Sequence, residues 1–267
     1  MRAGARAALP ERVGAAAQGL AAGCALIYRF VDCGYDLARV EAGRERYLEA
    51  HIPGAAFLGI DALSDLSVKG QGRHPLPGAE AFAATASRAG IGKGVFVVAY
   101  DHGGAGGAAR LWWLLRHFGH EDVAVLRGGL DAWLGPVRSG EQEIEPAEFV
   151  ARPRSGDTID AEQLADRLGE PGLVVVDARV PERYRGEVEP IDPVAGRIPG
   201  AVNWPYPEAS DVPAAIAEAD EVVVYCGSGV TACIDLLALA VAGRPDAKLY
   251  PGSWSDWCGR GLPAERG

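Results

Sequence analysis

Cys226 closes a short apolar run, and the residues that follow it, "CGSGVTAC" from 226 to 233, are small, flexible or hydroxyl-bearing. Val222, Val223, Val224 and Tyr225 read as a buried strand, and helical periodicity resumes near Thr231. A cysteine at the carboxyl end of a strand stands where ligands bind in open α/β sheets. Gly227 and Gly229 let the chain curl so that the amides of residues 227–232 point inward, at the N-terminus of the next helix. A thiolate in such a cradle has a depressed pKa and is a nucleophile near neutral pH. Free cysteine is also among the most buried residue types, so packing is the competing account. The strand, glycine loop and helix in succession favour the nucleophile. Cys233, one turn into the helix, reads as core, as do Cys24 and Cys33. Cys258, after Trp257, reads as partly exposed with nothing nearby to activate it.

A cysteine in an anion loop also describes tyrosine phosphatases. Their loop ends in an arginine that clamps the phosphoryl group, whereas Val230, Thr231 and Ala232 occupy that end here. The chain carries a net charge of −10, which argues against nucleic-acid partners. Any positive charge for an anionic substrate must therefore be local. Arginine is the expected partner of a carboxylate, because its planar fork binds both oxygens. The stretch "DARVPERYRGEVEPIDPVAGRIPGA" supplies Arg183, Arg185 and Arg197.

The elements that must position these groups occur twice. "HIPGAAF" at 51–57 answers "RIPGAVN" at 197–203, and "VFVVAYDHGGAGGAA" at 95–109 answers "EVVVYCGSGVTACI" from 221. An apolar strand ending in Asp32 or Asp177 precedes each IPGA. A helix, a short strand and a Gly/Trp segment follow each second motif. So long a period means two copies of one fold. Strands alternating with helices predict an α/β architecture in each copy, a mainly parallel sheet flanked by helices on both faces. In the second copy the pattern predicts helices at 160–168, 212–219 and 231–242, with strands at 173–177, 200–203, 221–225 and 248–250. The polar stretch 135–157 carries the linker, placed at 138–157 between domains 1–137 and 158–267. Asp101 stands in the first copy where Cys226 stands in the second, so the first domain is expected to be catalytically silent.

No apolar run is long enough to span a bilayer. Five cysteines at irregular spacing, without a CxxC or Cys/His pairing, suggest neither zinc nor a disulfide scaffold and fit a reducing cytoplasm. The apolar stretch before Cys24 is broken by Glu11, Arg12 and Gln18, which favours a short Ala-rich helix at 10–21 over a signal peptide.

The ordered set of IPGA twice, "CGSGVTAC" after a strand, "GSWSDW" near the end and a tandem duplication resembles the two-domain rhodanese-like sulfurtransferases, over about residues 26–267. The uncharged Gly-Ser-Gly after the cysteine is similar to the 3-mercaptopyruvate branch; thiosulfate enzymes carry basic residues there. The resemblance implies that Cys226 takes sulfur from 3-mercaptopyruvate as a persulfide and passes it to a thiol, a thioredoxin-type dithiol or cyanide. No metal or organic cofactor is implied. It also implies that Ser228 is linked to His74 (in "GRHPLPG") and Asp61 (in "GIDALSD") from the first domain, and that Gly227, Gly229, Val230, Thr231 and Ala232 line the sulfur site. From the residues alone, His74 is a loop histidine beside prolines and Asp61 a solvated turn residue. By the same resemblance Arg183 binds the substrate carboxylate. The second arginine of that pattern falls at Ile191, which leaves Arg185 or Arg197 as its expected substitute. A thiosulfate:cyanide sulfurtransferase and a noncatalytic persulfide carrier are the alternatives.

Overall fold

The computed structural model describes residues 27–267, apart from residues 37, 38, 40, 105 and 210 and the side chain of residue 208. The helix expected at 10–21 and Cys24 lie outside the described residues. The first sheet contains β1 (Ile27–Asp32), β2 (Ala56–Phe57), β3 (Val95–Tyr100) and β4 (Val123–Val125), in the order β2-β1-β3-β4. The second contains β5 (Leu173–Asp177), β6 (Val202–Asn203), β7 (Glu221–Tyr225) and β8 (Lys248–Leu249), in the order β6-β5-β7-β8. All pairings within both sheets are parallel.

The first copy adds helices α1 (Ala42–Glu49), α2 (Ala79–Arg88) and α3 (Gly107–His117). The second adds α4 (Ala161–Asp166), α5 (Pro181–Tyr184), α6 (Ala214–Ala217), α7 (Ala232–Val241) and α8 (Ser253–Gly259). The strands of the second copy fall where the apolar runs predict them, with β6 and β8 shorter. Its helices α4, α6 and α7 lie inside the predicted spans. Helices α5 and α8 were not predicted, because "PERY" and "SWSDWCG" are short and rich in turn-forming residues. No helix among the described residues is long and apolar enough to cross a membrane.

The duplication holds at the level of single hydrogen bonds. Ile52 N–H donates to Tyr100 Oη at 3.1 Å, and Ile198 N–H donates to Tyr225 Oη at 3.1 Å. His51 bridges Arg138, and Arg197, its counterpart, bridges Glu265. Each IPGA turn is thus tied to the tyrosine that ends the central strand and to the segment that closes its domain.

Strand alternation places the core on two sides. Along β7, Val222, Val224 and then Cys226 face a large cluster shared by both copies, whereas Val223 and Tyr225 face a satellite cluster with Trp254 and Trp257. The shared cluster forms because α3 packs on α7. Gly107 to Leu115 of α3 are all buried, including the charged Arg110. Gly107 admits a close approach: a β-carbon there would lie 2.0 Å from Cys33 O. The second copy's catalytic-type loop therefore rests on a helix of the first.

Candidate active site

Tyr225 ends β7, and Cys226 begins the loop that leads into α7. Its N–H donates to Ser253 Oγ at 3.1 Å, and its carbonyl accepts from Trp254 N–H at 3.0 Å. Gly227 O accepts from Ser255 N–H at 3.0 Å. The start of α8 thus props the loop from beneath. Ser253 does this in a left-handed conformation, φ 55°, although it carries a side chain. Such strain persists only where surrounding contacts enforce it. Its hydroxyl completes the prop by donating to Tyr250 O at 3.0 Å.

Gly229 turns the loop at φ 77°, and a β-carbon there would lie 2.4 Å from Pro251 O. The turn aims Gly229 N–H at Cys226 Sγ, 3.1 Å away. Cys226 is only 1 % exposed. Burial by itself pushes its thiol up, but the Thr231 hydroxyl and the N–H groups of Ser228, Ala232 and Gly229 outweigh burial and hold it below the ordinary thiol value. Val230 is buried beside them and Gly227 forms the outer lip.

The other described thiols go the opposite way. Burial, with the charges of Asp32 and Asp101, pushes Cys33 well up; burial pushes Cys233 up to about 12 and raises Cys258. Cys33 and Cys233 pack in the core as expected. Cys258 is buried as well, at 7 % exposure, because α8 folds it against the Trp254 and Trp257 cluster. That corrects its reading as partly exposed.

In the first copy the corresponding cradle is already filled. One Asp101 carboxylate oxygen accepts from Gly103 N–H at 3.0 Å and Gly104 N–H at 3.3 Å, and the other from Ala108 N–H at 3.4 Å. The fixed carboxylate takes the place that a thiolate takes in the second copy.

The first copy reaches into the second through His74, Arg73 and Arg110. His74 Nδ1 lies 2.8 Å from Ser228 Oγ. Burial, then the charges of Arg110 and Arg73, hold the His74 imidazole down to about 4, partly opposed by Asp61. His74 is therefore neutral at physiological pH. Asp61 is exposed and acts on the ring through its charge, with no hydrogen bond to it. Asp235 of α7 faces the same thiol from behind. It is fully buried, and burial, then the charges of Cys226 and Asp177, push its carboxyl well up.

The cations are arranged differently from the sequence expectation. A β-carbon on Gly227 would lie 2.9 Å from Arg73 Nη2 and 3.2 Å from Arg183 Nη1. Two guanidinium groups, one from each copy, therefore stand over the loop. Asp192 joins them, pairing with Arg73 and lying 3.4 Å from Arg183 Nη2. Glu189 holds Arg183 at 2.7 Å and Arg179 at 3.4 Å, and its carboxylate also accepts the N–H groups of Ile191 and Asp192. Ile191 itself is exposed.

Neither expected substitute for the missing arginine reaches this place. Arg185 pairs at the surface with Glu187, two residues on, at 2.7 Å. Arg197 donates to Gly267 O at 2.5 Å, pairs with Glu265 and stacks on Tyr184, so it secures the C-terminal segment. Both are committed elsewhere because their nearest carboxylates lie on their own surface. Sequence reasoning missed Arg73, although it directly precedes His74. It also missed Arg110, the one charge in the first eight residues of α3.

Comparison with known proteins returns one consistent group. A family model described as "Rhodanese-like domain" matches residues 17–135 and 160–260. A probable 3-mercaptopyruvate sulfurtransferase from Pseudomonas aeruginosa is 43% identical over 251 residues, covering 85% of this chain and 88% of its own. The "Putative thiosulfate sulfurtransferase SseB" of Mycobacterium tuberculosis is 42% identical over 239 residues, covering 80% and 82%. The crystal structure of SseA from Escherichia coli, described among 3-mercaptopyruvate sulfotransferases of the "Rhodanese" fold, superposes with a TM-score of 0.72 at 32% identity, covering 85% of this chain and 93% of that one.

Proposed function

The chain belongs to the rhodanese-like family and is a sulfurtransferase, and from that premise we propose that it moves a sulfane sulfur from 3-mercaptopyruvate through a persulfide on Cys226. The acceptor in this reading is a thiol, a thioredoxin-type dithiol or cyanide. Residues 158–267 provide the nucleophile, and residues 1–137 provide one wall of the cleft with His74, Asp61 and Arg73. The observation that carries the choice of donor is the 2.8 Å contact between Ser228 Oγ and a neutral His74, inside a loop whose own side chains are uncharged.

In the first half-reaction the Cys226 thiolate attacks the donor sulfur. The carbon–sulfur bond breaks, and its electron pair leaves on pyruvate as the enolate. A proton completes pyruvate, and Ser228 backed by neutral His74 is placed to deliver it. The outer sulfur of the persulfide rests among the amides of residues 227–232. An acceptor thiolate then attacks that outer sulfur and leaves with it, restoring the Cys226 thiolate.

Ser228→Ala tests the relay. Removing the hydroxyl is expected to lower kcat for 3-mercaptopyruvate by ~10²-fold or more, the usual scale of general acid–base assistance. With thiosulfate, whose leaving group is sulfite and needs no proton on carbon, the rate should change little. Equal losses with both donors would remove the role assigned to Ser228. A thiosulfate preference is the second reading, favoured by the paired Arg73 and Arg183 guanidinium groups, which fit a sulfonate as readily as a carboxylate. Pyruvate and sulfite release, measured side by side, separate the two.

The pH profile follows from the same geometry. Because the thiol is depressed, the active thiolate is present above its folded pKa and lost as pH falls through it. Persulfide formation should reach its plateau below the ordinary thiol value, with no inflection from His74 above pH 5, since that ring stays neutral down to about 4. The unfolded chain takes up a proton on this histidine near its ordinary value, which the folded ring refuses. His74 therefore makes stability fall as pH drops from about 6.5 toward 4. Stopped-flow persulfide formation and a pH series of thermal melts check both statements; a rate inflection near pH 6.5 that disappears in His74→Gln would contradict them.

A further inference from the structure

Arg110 is fully buried in α3, in the middle of the interface between the two copies. Its Nη1 donates to Gly229 O at 2.9 Å, and its Nη2 to His74 O at 3.1 Å and Leu63 O at 3.5 Å. Among the described residues no carboxylate pairs with it, and its Nε has no partner. Guanidinium does not lose its proton in proteins, so this is a fixed interior charge. Burying such a charge without an anion is strongly unfavourable. The groups around it that can carry negative charge are Cys233, which also hydrogen-bonds to it, then Cys226 and the Tyr35 hydroxyl. Cys233 and Tyr35 are held un-ionised by burial, Cys233 at about 12 and Tyr35 higher still. Burial also pushes the carboxyl of Asp235, the remaining acid facing Cys226 from α7, well up. Among these groups only Cys226 is held below its ordinary value, and its thiolate is the one placed to balance the charge.

The three carbonyls are as informative as the charge. Gly229 is the residue whose N–H meets Cys226 Sγ, and Cys233 Sγ–H also points at its carbonyl, at 3.5 Å. His74 is the ring that meets Ser228, and Leu63 lies two residues beyond Asp61. One side chain of the first copy thus grips the loop of the second copy and the segment that carries its proton relay.

We propose that Arg110 is a positioning residue and the permanent counter-charge of the Cys226 thiolate, acting across the domain interface without touching substrate. The proposal rests on Cys226 being the nucleophile. It also explains why the loop itself needs no basic side chain: its charge is supplied from behind, by another domain.

The test reads the Cys226 thiolate directly, as the 240 nm absorbance of each protein minus that of its Cys226→Ser counterpart, across pH. Arg110→Met in the full chain should raise the midpoint by about one unit or more, a tenfold loss of thiolate near neutrality. Arg110→Lys, which keeps a charge but not the three-way fork, should hold the midpoint near the parent value while kcat falls. A folded Arg110→Met with an unchanged midpoint overturns the proposal. If Arg110→Met does not fold, a midpoint in Arg110→Lys raised by a unit despite its retained charge overturns it as well. Failure of the underlying reading looks different: the unmodified protein itself would then show no Cys226 thiolate below the ordinary thiol range.

Discussion

Cys226→Ser is expected to lower kcat/KM for 3-mercaptopyruvate by at least ~10⁴-fold while leaving the loop folded. The substitution is close to isosteric, and the hydroxyl can accept from the same Gly229 N–H that now meets sulfur at 3.1 Å. What it lacks is ionisation, because an alcohol stays protonated in a cradle that depresses a thiol only below its ordinary value. It also lacks the chemistry, since a serine cannot hold sulfur as a persulfide. No other described thiol can take over. Cys33, Cys233 and Cys258 are buried and pushed up, and none has a ring of amides around it. Pyruvate release together with intact mass after donor addition checks this. The parent protein should gain the mass of one sulfur and the variant none. A residual rate above one part in a hundred, or a sulfur adduct on the variant, would move the nucleophile elsewhere.

The proposed nucleophile was legible in the sequence because the hydroxyl and amides that hold its thiol down are local. The strand is a continuous apolar run, the turn needs glycine, and the amides belong to the six residues after the thiol. The doubled sheet was legible for the same reason, since its strands are short valine-rich runs that repeat with their IPGA turns. The Asp101 that stands in the first copy at the place of Cys226 could also be read, and its carboxylate fills its own cradle. What sequence reasoning could not supply were contacts made across the interface. Arg110 is a single charge in an apolar helix, and nothing around it in sequence predicts three carbonyl partners from residues 63, 74 and 229. Arg73 reaches Gly227 only because the 61–76 segment folds over the second domain. Arg197 misled for the opposite reason. Its partners lie at the very end of the chain, and those nearly seventy intervening residues hide a purely structural pairing.

Asp192→Asn is expected to lower the KM for 3-mercaptopyruvate, whereas Arg183→Met should raise it ~10- to 100-fold, the cost of losing a charged hydrogen bond of about 1.5–3 kcal/mol. The opposite signs come from one arrangement. Arg73, Arg179 and Arg183 face Asp177, Glu189 and Asp192, so the cluster has no net charge to offer a carboxylate. A donor that binds Arg73 and Arg183 together must displace Asp192, whose side chain is 5 % exposed and joins both. Asparagine keeps the shape of that side chain and removes the competing charge. Glu189 is not equivalent, because the N–H groups of Ile191 and Asp192 and the buried Arg179 all depend on it; Glu189→Gln should damage the loop rather than free the site. Arg73→Met should cost as much in KM as Arg183→Met, since each guanidinium is one arm of the clamp over Gly227. Steady-state kinetics on the four variants decide the matter. A KM that rises in Asp192→Asn would mean the carboxylate orients the arginines for the donor instead of competing with it. A KM indifferent to Arg73 would return the second arm to a residue of the second domain. With Arg73 as that second arm, the arginine expected at position 191 is answered by a charge from the other domain, which ties donor binding to the same interface that holds the loop of Cys226 in place.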